Sequence, residues 1–420
     1  MIITYPLVME QIILREAYLE KIRPFYDSQY IKVITGIRRC GKSELLKQIM
    51  AELRSRGILE SQIICLDLEG VSGEGITTRK KLEKALTKKI ITKEKYYIFI
   101  DEIQHVKKFE VAIASIRVSF NCSLFVTGSN SKLLRGKLQD RLTGRAKEFE
   151  IHPFTYSEVL EYKKKNGIPL SSDDFQDYLQ WGGMPQRFEE PNEDGTREYL
   201  LSLYQSIVKK DVFDQHKRIN KTWFKTISDY VMSNSGSLFS ALSLAKYLKD
   251  QLPKNKDPRS EAATISQYAD YLLECYFLSE CRPYYLKGKA ALKGVRKFYP
   301  VDVGLKNALS TGIQFDESFA LEGIVFNELV YRGYSVRYGK LRDGEIDFVA
   351  FKGKKKCLIQ VADRITDQKT FDREYGAFKN IDDASPKYVF SLDEKDTSNN
   401  GITHLNIIDF LLGKTDIVIL

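Results

Sequence analysis

Short β-rich runs alternate with amphipathic stretches along the first part of the chain. The runs predicted to form strands lie at residues 31–35, 62–67, 96–100, 123–127 and 147–151. The run at 96–100 is hydrophobic throughout, which is typical of a parallel strand covered on both faces by helices. The segments 12–26 and 44–50 have apolar residues at helical spacing and predict covering helices. The pattern indicates an α/β fold with a parallel sheet.

A glycine loop joins the first predicted strand to a helix. Residues 36–43 read GIRRCGKS and match G-x-x-x-x-G-K-[ST] without a mismatch. Glycines let backbone N–H groups curl round a phosphate, and the helix turns the positive end of its dipole toward it. Lys42 is predicted at the β/γ-phosphates and Ser43 at Mg²⁺; an ordinary turn is the alternative. The residues predicted to bind ATP here are Gly36, Arg39, Cys40, Gly41, Lys42 and Ser43.

Polar side chains follow two of the predicted strands. Asp101 and Glu102 end the 96–100 run, so Asp101 is predicted to orient Mg²⁺ and Glu102 to polarise the attacking water. The alternative for this pair is a solvated turn. Ser129 follows the fourth strand and is predicted to sense the γ-phosphate, with Asn130 as the alternative residue and a helix N-cap as the structural explanation.

Three arginines precede the fifth predicted strand: Arg135, Arg141 and Arg145. An arginine in this place can stabilise transition-state charge in a neighbouring subunit, which predicts a ring or a filament. Exposed helix arginines that pair with local acids are the alternative.

Composition narrows the classes of protein. The 420 residues include 65 Lys and Arg against 56 Asp and Glu, a net charge of +9 that permits nucleic-acid binding without requiring it. Six scattered cysteines and four isolated histidines predict neither a disulfide framework nor a zinc site. No apolar run is long enough to cross a bilayer, and no secretion signal is recognisable, so we expect a cytoplasmic protein without a membrane partner.

The middle of the chain, 221–310, has the order of elements of a winged-helix domain. Thr264, Ser266 and Gln267 begin the third helix, from which base edges are read in helix-turn-helix proteins. The following hairpin combines basic residues with Tyr284 and Tyr285, which suits a phosphate backbone and predicts double-stranded DNA as the partner. A packing module with a solvated hairpin is the alternative. The basic residues of the hairpin are Arg282, Lys287, Lys289, Lys293, Arg296 and Lys297.

These motifs together resemble the AAA+ superfamily, and within it prokaryotic ATPases that end in a nuclease-like domain of unknown function. The stretches that carry the resemblance are ITGIRRCGKSELL, YYIFIDEIQ, LFVTGSNSKLL, LTGRAKEFEIHPFTYSEVL, YLQWGGMPQ and LEGIVFNELVYRGYSV with GEIDFV. The resemblance implies an AAA+ strand order, self-assembly into a homo-oligomer, Arg145 as the arginine before the fifth strand, and Pro185 beside the adenine. A turn between lid helices is the alternative for Pro185. The implied domains are an ATPase core at 1–153, a helical lid at 154–220, the winged helix at 221–310 and a PD-(D/E)xK-like domain at 311–420.

The last of these domains departs from the nuclease pattern that it resembles. Asp347 is present, but Gln360 and Ala362 occupy the positions of the metal-binding carboxylate and the lysine. The amide of Gln360 cannot replace a metal-binding carboxylate, and the methyl group of Ala362 cannot replace a lysine ammonium. We therefore expect no cleavage of nucleic acid. The sequence favours an ATPase that couples its nucleotide state to nucleic acid. A nucleotide-gated scaffold that binds a protein partner is the alternative, and an active metal-dependent nuclease is the least favoured.

Overall fold

The computed structural model describes residues 13–129, 144–248, 258–286, 295–309, 317–342, 344–379 and 381–419. The chain forms two compact units. The first comprises Met1–Pro153 with Glu274–Tyr276, and the second Phe154–Leu273 with Phe277–Leu420. Asn130, Arg135, Arg141, Lys287, Lys289 and Lys293 lie outside the described residues.

The first unit is built on a five-stranded sheet in the order β2-β3-β4-β1-β5, and all of its neighbouring strands are parallel. This confirms the predicted α/β class for this unit. The central strands are buried along their whole length because helices cover both faces. The strands are β1 Ile31–Thr35, β2 Ile63–Asp67, β3 Tyr96–Asp101, β4 Cys122–Gly128 and β5 Ala146–Glu150.

Among the described residues of this unit, the α-helices beside the sheet are α1 Glu16–Ile22, α2 Lys42–Ser55, α3 Arg79–Lys89 and α4 Phe109–Ser119. The helix predicted over 12–26 is shorter than the pattern indicated. It ends at Ile22 and continues as a 3₁₀ turn at Arg23–Phe25. Pro24 explains the difference, because its ring clashes with the carbonyl four residues earlier in a regular helix and it has no N–H to donate.

The second unit begins with helices. The first of them starts at a capping box, in which Thr155 Oγ1 accepts from the Glu158 N–H at 3.3 Å and the Thr155 N–H donates to Glu158 Oε2 at 2.9 Å. The helices are α5 Tyr156–Lys165, α6 Asp174–Trp181, α7 Glu193–Ile207 with a π-helical extension Val208–Phe213, α8 Lys221–Ser233, α9 Ala241–Tyr247, α10 Pro258–Glu274 and α11 Val303–Leu309.

A mixed seven-stranded sheet in the order β12-β11-β10-β9-β8-β6-β7 completes the second unit. Its strands are β6 Leu278–Tyr285, β7 Lys297–Pro300, β8 Ser335–Lys340, β9 Glu345–Lys352, β10 Lys355–Val361, β11 Lys387–Ser391 and β12 Ile402–Asn406. Its helices are α12 Glu317–Tyr331, α13 Gln368–Gly376 and α14 Ile407–Leu411.

The strand β6 joins the two predicted C-terminal domains. Its first half pairs antiparallel with β7, as in the predicted hairpin, and its second half pairs parallel with β8. The sheet therefore continues across the boundary predicted at residue 310. Tyr299 of β7 stacks on Phe326 of α12 with ring centroids 4.4 Å apart, so both halves also share a hydrophobic core.

Candidate nucleotide-binding site

The loop 36–43 requires glycine at two positions. A Cβ on Gly36 would lie 2.2 Å from the carbonyl oxygen of Ile151, the residue after β5, and the φ of Gly36 is +139°. Gly41 has a φ of +102° and is the N-cap of α2. Both conformations are strained for residues with side chains, so the sequence motif corresponds to a backbone that only glycine adopts readily. Arg39, between them, also has a left-handed backbone.

The start of α2 presents the donors that a phosphate needs. The first backbone bond of the helix runs from the Leu45 N–H to the Gly41 oxygen at 3.0 Å, so the N–H groups before Leu45 are the orphan donors of a helix end. Lys42 Nζ donates to the carbonyls of Gly36 at 3.1 Å and Ile37 at 3.0 Å, which places its ammonium inside the loop. The side chain of Cys40 faces away, and Sγ lies 3.4 Å from the Ile151 oxygen. These donors fit a nucleoside triphosphate.

Arg15 is a residue of this site that sequence reasoning missed. It is 3% exposed and donates from Nη2 to the His152 oxygen at 3.0 Å and from Nη1 to the Cys40 oxygen at 3.4 Å. Burial and the charge of Arg15 lower the pKa of His152 to about 4, which keeps that imidazole neutral. Arg15 thus ties the glycine loop to the segment after β5. This role could not be predicted from the sequence, because a single arginine before a helix belongs to no recognisable motif.

The predicted carboxylates lie at the carboxyl end of β3. Thr127, on the adjacent strand β4, donates its hydroxyl hydrogen to Oδ1 of Asp101. The Thr127 hydroxyl oxygen in turn accepts from the Glu102 N–H at 2.8 Å. Glu102 has a left-handed backbone with a φ of +54°. Thr127 therefore fixes the orientation of both acids, a role that its position at the end of an apolar strand did not reveal.

Gln104 brings the predicted sensing residue to the same place. Its Nε2 donates to Oε2 of Glu102 and lies 3.5 Å from Oγ of Ser129, which is fully buried. The other end of the amide, Oε1, is buried and has no hydrogen-bond partner among the residues that the structure describes. Ser129 and Glu102 are thus held together through one side chain.

The sheet order places the loop and the acids at one edge. The strands β1 and β3 both flank β4, with Thr35 opposite Gly128 and Ile100 opposite Val126. Two strand spacings separate the ends of β1 and β3 by about 10 Å. The hydroxyl of Ser43 and the carboxylate of Asp101 are oxygen donors of the kind that Mg²⁺ prefers. This donor set fits the magnesium of a bound nucleotide.

Arg145 lies at the other end of the sheet. Its carbonyl accepts from the N–H of Ile31, the first residue of β1, at 2.9 Å, whereas the glycine loop follows the last residue of that strand. The length of β1 separates them by roughly 15 Å. Within one chain, the structure does not bring Arg145 to the nucleotide site.

Pro185 belongs to the second unit. The two glycines shortly before it, Gly182 and Gly183, pack closely against other parts of that unit. The Gly183 N–H donates to Oδ2 of Asp302 at 2.7 Å, and a Cβ on Gly182 would lie 2.2 Å from Oδ1. Asp302 also caps α11 through the Leu305 N–H at 3.1 Å. Burial raises the pKa of Asp302 to about 6. Gly182 is thus required by the close approach of a buried carboxylate, and Gly183 by the Phe154 carbonyl oxygen, which would lie 2.0 Å from its Cβ.

Two of the basic residues predicted to contact DNA, Arg296 and Lys297, are paired inside the protein, which corrects their assignment to an exposed DNA-binding hairpin. Arg296 donates to Asp270 at 2.7 Å and to Ser266 at 3.0 Å, so Ser266 also faces the protein itself. Lys297 is 2% exposed and cannot contact a phosphate backbone. Arg282, which is 64% exposed, pairs with Glu280 at 2.7 Å.

Lys297 is instead the buried cation of a carboxylate cluster. Its Nζ lies 2.8 Å from Glu345 and 3.5 Å from Glu322. Burial alone would lower the pKa of Lys297, but these two carboxylates raise it above its ordinary value. Burial and the nearby Glu322 raise the pKa of Asp347 well above its usual range.

Gln360 is engaged within the same cluster. Its Oε1 accepts from the Asp347 N–H at 3.0 Å, and its Nε2 donates to Glu374 at 3.3 Å. Over the residues that the structure describes, no group of three or more His, Cys, Asp and Glu side chains could hold a metal ion. In the same residues, no helix combines the length and the apolar character needed to span a membrane.

Comparisons with known proteins agree with the site. The model of an AAA domain matches residues 28–160, and that of a domain of unknown function matches 172–317. The Aeropyrum pernix ORC1 protein, solved in complex with DNA, has a TM-score of 0.32 and 13% identity over 72% of this chain and 94% of that chain. The ORC2 protein of the same organism has a TM-score of 0.39 and 9% identity over 70% and 90%.

Two uncharacterized proteins are similar over most of their length. The match in Methanocaldococcus jannaschii is 27% identical over 362 residues, 83% of this chain and 78% of that protein. The match in Haemophilus influenzae is 32% identical over 404 residues, 95% of this chain and 98% of that protein. The chain therefore belongs to the same family as the Haemophilus influenzae protein, and it carries an AAA+ nucleotide-binding domain.

Proposed function

We propose that the protein is a Mg²⁺-dependent ATPase. One observation carries this proposal: Thr127 orients Asp101 and Glu102 at the sheet edge that also presents the phosphate-binding loop. An acidic pair on a solvated turn would not need a buried hydroxyl to fix both of its members.

Each residue of the site has a separate role in the proposed hydrolysis. The amides of loop 36–43 and the Lys42 ammonium bind and orient the phosphates. Magnesium, when bound through Ser43 and Asp101, would neutralise phosphate charge. Glu102 accepts the proton of the attacking water. Ser129 would sense the γ-phosphate, and it is held to Glu102 through Gln104.

Arg145 extends the proposal to an assembly. Since it lies at the opposite end of β1 from its own loop, it acts only on the site of a neighbouring copy. There its guanidinium would stabilise charge on the transferred phosphoryl group. A homo-oligomer in which one copy completes the next follows from this role.

The macromolecule whose binding the nucleotide state controls is, in our proposal, nucleic acid. The net charge of +9 supports a polyanionic partner, although the described basic hairpin is mostly paired internally. A nucleotide-gated scaffold for a protein partner is the second candidate. Salt-dependent binding of DNA separates the two, since counterion release makes protein–DNA affinity fall steeply with salt.

The test of the enzyme is Mg²⁺-dependent phosphate release from ATP by the purified protein, with and without DNA. We expect turnover in the wild type and none in Lys42→Ala. Lys47→Ala is the matched control, because Lys47 is an exposed lysine on the same helix that pairs with Glu44 at 2.5 Å. Absence of turnover in the wild type under all conditions would refute the proposal.

A further inference from the structure

The most strongly charged helix of the described chain lies in the ATPase unit. The helix α3 has six basic residues against a single acid, Glu83, which already pairs with Arg79 at 2.8 Å. The helix therefore carries a net charge of +5, against +9 for the whole chain.

The basic residues of α3 form a continuous face. Lys80, Lys84 and Lys88 are four residues apart and therefore lie in a row, with Lys81 beside them. We call these four lysines the α3 lysine face. The row from Lys80 to Lys88 extends over about 12 Å of helix axis. All four side chains are exposed, and none has an ion-pair partner among the described residues.

The backbone extends this surface beyond the helix. The Lys107 N–H donates to the carbonyl of Thr77 at 2.9 Å, just before α3 begins. Lys107 and Lys108 are both exposed. Two further ammonium groups therefore lie near the start of the α3 lysine face.

We propose that the α3 lysine face binds the phosphate backbone of double-stranded DNA. This rests on the nucleic-acid half of the proposed function and names the surface that carries it. Three ammonium groups in a row along one helix, with a fourth beside them, suit the closely spaced phosphates of a duplex. Single-stranded nucleic acid is usually bound with exposed aromatic rings for base stacking, and residues 79–95 contain no aromatic residue.

An anionic membrane fits this surface less well. A helix that lies on a bilayer must insert its apolar face. The apolar side chains of α3, Leu82 and Leu86, are fully buried in the core under the sheet, so they are not available to lipid. What α3 presents outward is charge, and backbone contacts of this kind are independent of base sequence.

The experiment measures binding of a short labelled duplex between about 50 and 200 mM salt. With four phosphate contacts, the logarithm of the affinity should fall with the logarithm of salt with a slope of about −3.6. The variant K80Q/K84Q/K88Q should reduce that slope by about 2.7 and bind several-fold to a hundredfold more weakly at low salt. Its ATP turnover without DNA should equal that of the wild type, which shows that the core is folded.

Matched variants separate the possible failures. K352Q/K354Q/K355Q removes three exposed lysines from the second unit and should bind DNA like the wild type. Equal losses in both triple variants would overturn the proposal, as would a loss confined to K287Q/K289Q/K293Q, which removes the lysines of the predicted hairpin. Binding to anionic phosphatidylserine vesicles but not to DNA would also overturn it. If the wild type binds no DNA at 50 mM salt, the nucleic-acid half of the proposed function itself fails.

Discussion

Thr127 donates its hydroxyl hydrogen to Oδ1 of Asp101. The same hydroxyl accepts from the Glu102 N–H at 2.8 Å, so one side chain positions both predicted catalytic acids. Replacement by valine keeps the shape of the side chain and removes both hydrogen bonds. The site therefore depends on a residue that need not contact the nucleotide.

The first prediction concerns this positioning. We expect Thr127→Val to lower kcat for ATP about 10- to 100-fold, because outer contacts that orient catalytic ligands typically have effects of this size. Thr127→Ser keeps the hydroxyl and should restore most of the rate. Steady-state phosphate release, with nucleotide affinity measured separately, checks this. Equal rates in Thr127→Val and the wild type would show that the hydroxyl does not position the acids.

The second prediction separates binding from hydrolysis. Glu102→Gln should bind ATP with nearly wild-type affinity, because the phosphate donors of the loop are untouched. Its turnover should fall by about 10²- to 10⁴-fold, the usual contribution of a general base. Titration with ATP and a single-turnover assay measure the two effects. A loss of affinity without a loss of rate would assign Glu102 to binding instead.

The parts of the site that depend on local sequence were predictable. The glycine loop and the strand before Asp101 follow from residue spacing, because a phosphate loop and a buried strand each have a short-range pattern. Arg15 and Gln104 were not, since their roles arise only when distant segments pack together. The role of Thr127 was not predictable either, because the carboxylate that it contacts lies on a different strand.

For the basic hairpin, the sequence predicted exposed charges that the structure shows to be paired. Arg296 and Lys297 were predicted on an exposed surface because they stand in a run of basic residues without an acid. In the structure their partners come from distant segments, Asp270 for the arginine and Glu345 and Glu322 for the lysine. The pattern of charges along the chain does not show such long-range ion pairs. A prediction from that pattern therefore treats a buried, paired charge as an exposed one.

The third prediction uses a buried lysine in the first unit. Lys32 is fully buried in β1 and donates to Ser123 Oγ at 2.6 Å and to the Tyr30 oxygen at 2.8 Å. Burial lowers its pKa from 10.5 to about 7. Between these values the unfolded chain binds a proton that the folded chain does not, so this group makes the free energy of unfolding rise with pH.

Comparison with Lys32→Met isolates that contribution. From pH 7 to 9 the wild type should gain stability over the variant by up to about 1.4 kcal/mol per pH unit. Urea unfolding of both proteins at several pH values measures the difference. Parallel stability curves would mean that Lys32 stays charged in the folded protein.

The fourth prediction concerns the nuclease-like cluster of the second unit. The amide of Gln360 is bonded at both ends, to the Asp347 N–H and to Glu374, and Lys297 supplies positive charge beside the carboxylates. We therefore expect no nicking of supercoiled plasmid with Mg²⁺ or Mn²⁺. Nicking that is abolished by Asp347→Ala would contradict this expectation and restore the nuclease hypothesis.

The fifth prediction tests Lys297 as the cation that holds this cluster together. Its side chain is 3% exposed and lies 2.8 Å from Glu345 and 3.5 Å from Glu322, so Lys297→Met removes the cation that both carboxylates share. Removing one member of a buried ion pair typically costs about 3–5 kcal/mol of unfolding free energy. Lys352→Met, at an exposed lysine of the same sheet, should cost little by comparison. Adding Glu322→Gln to Lys297→Met should recover part of the loss, because it removes one uncompensated charge. Urea unfolding measures all four proteins, and equal stability of the two lysine variants would show that the cluster does not need its internal cation.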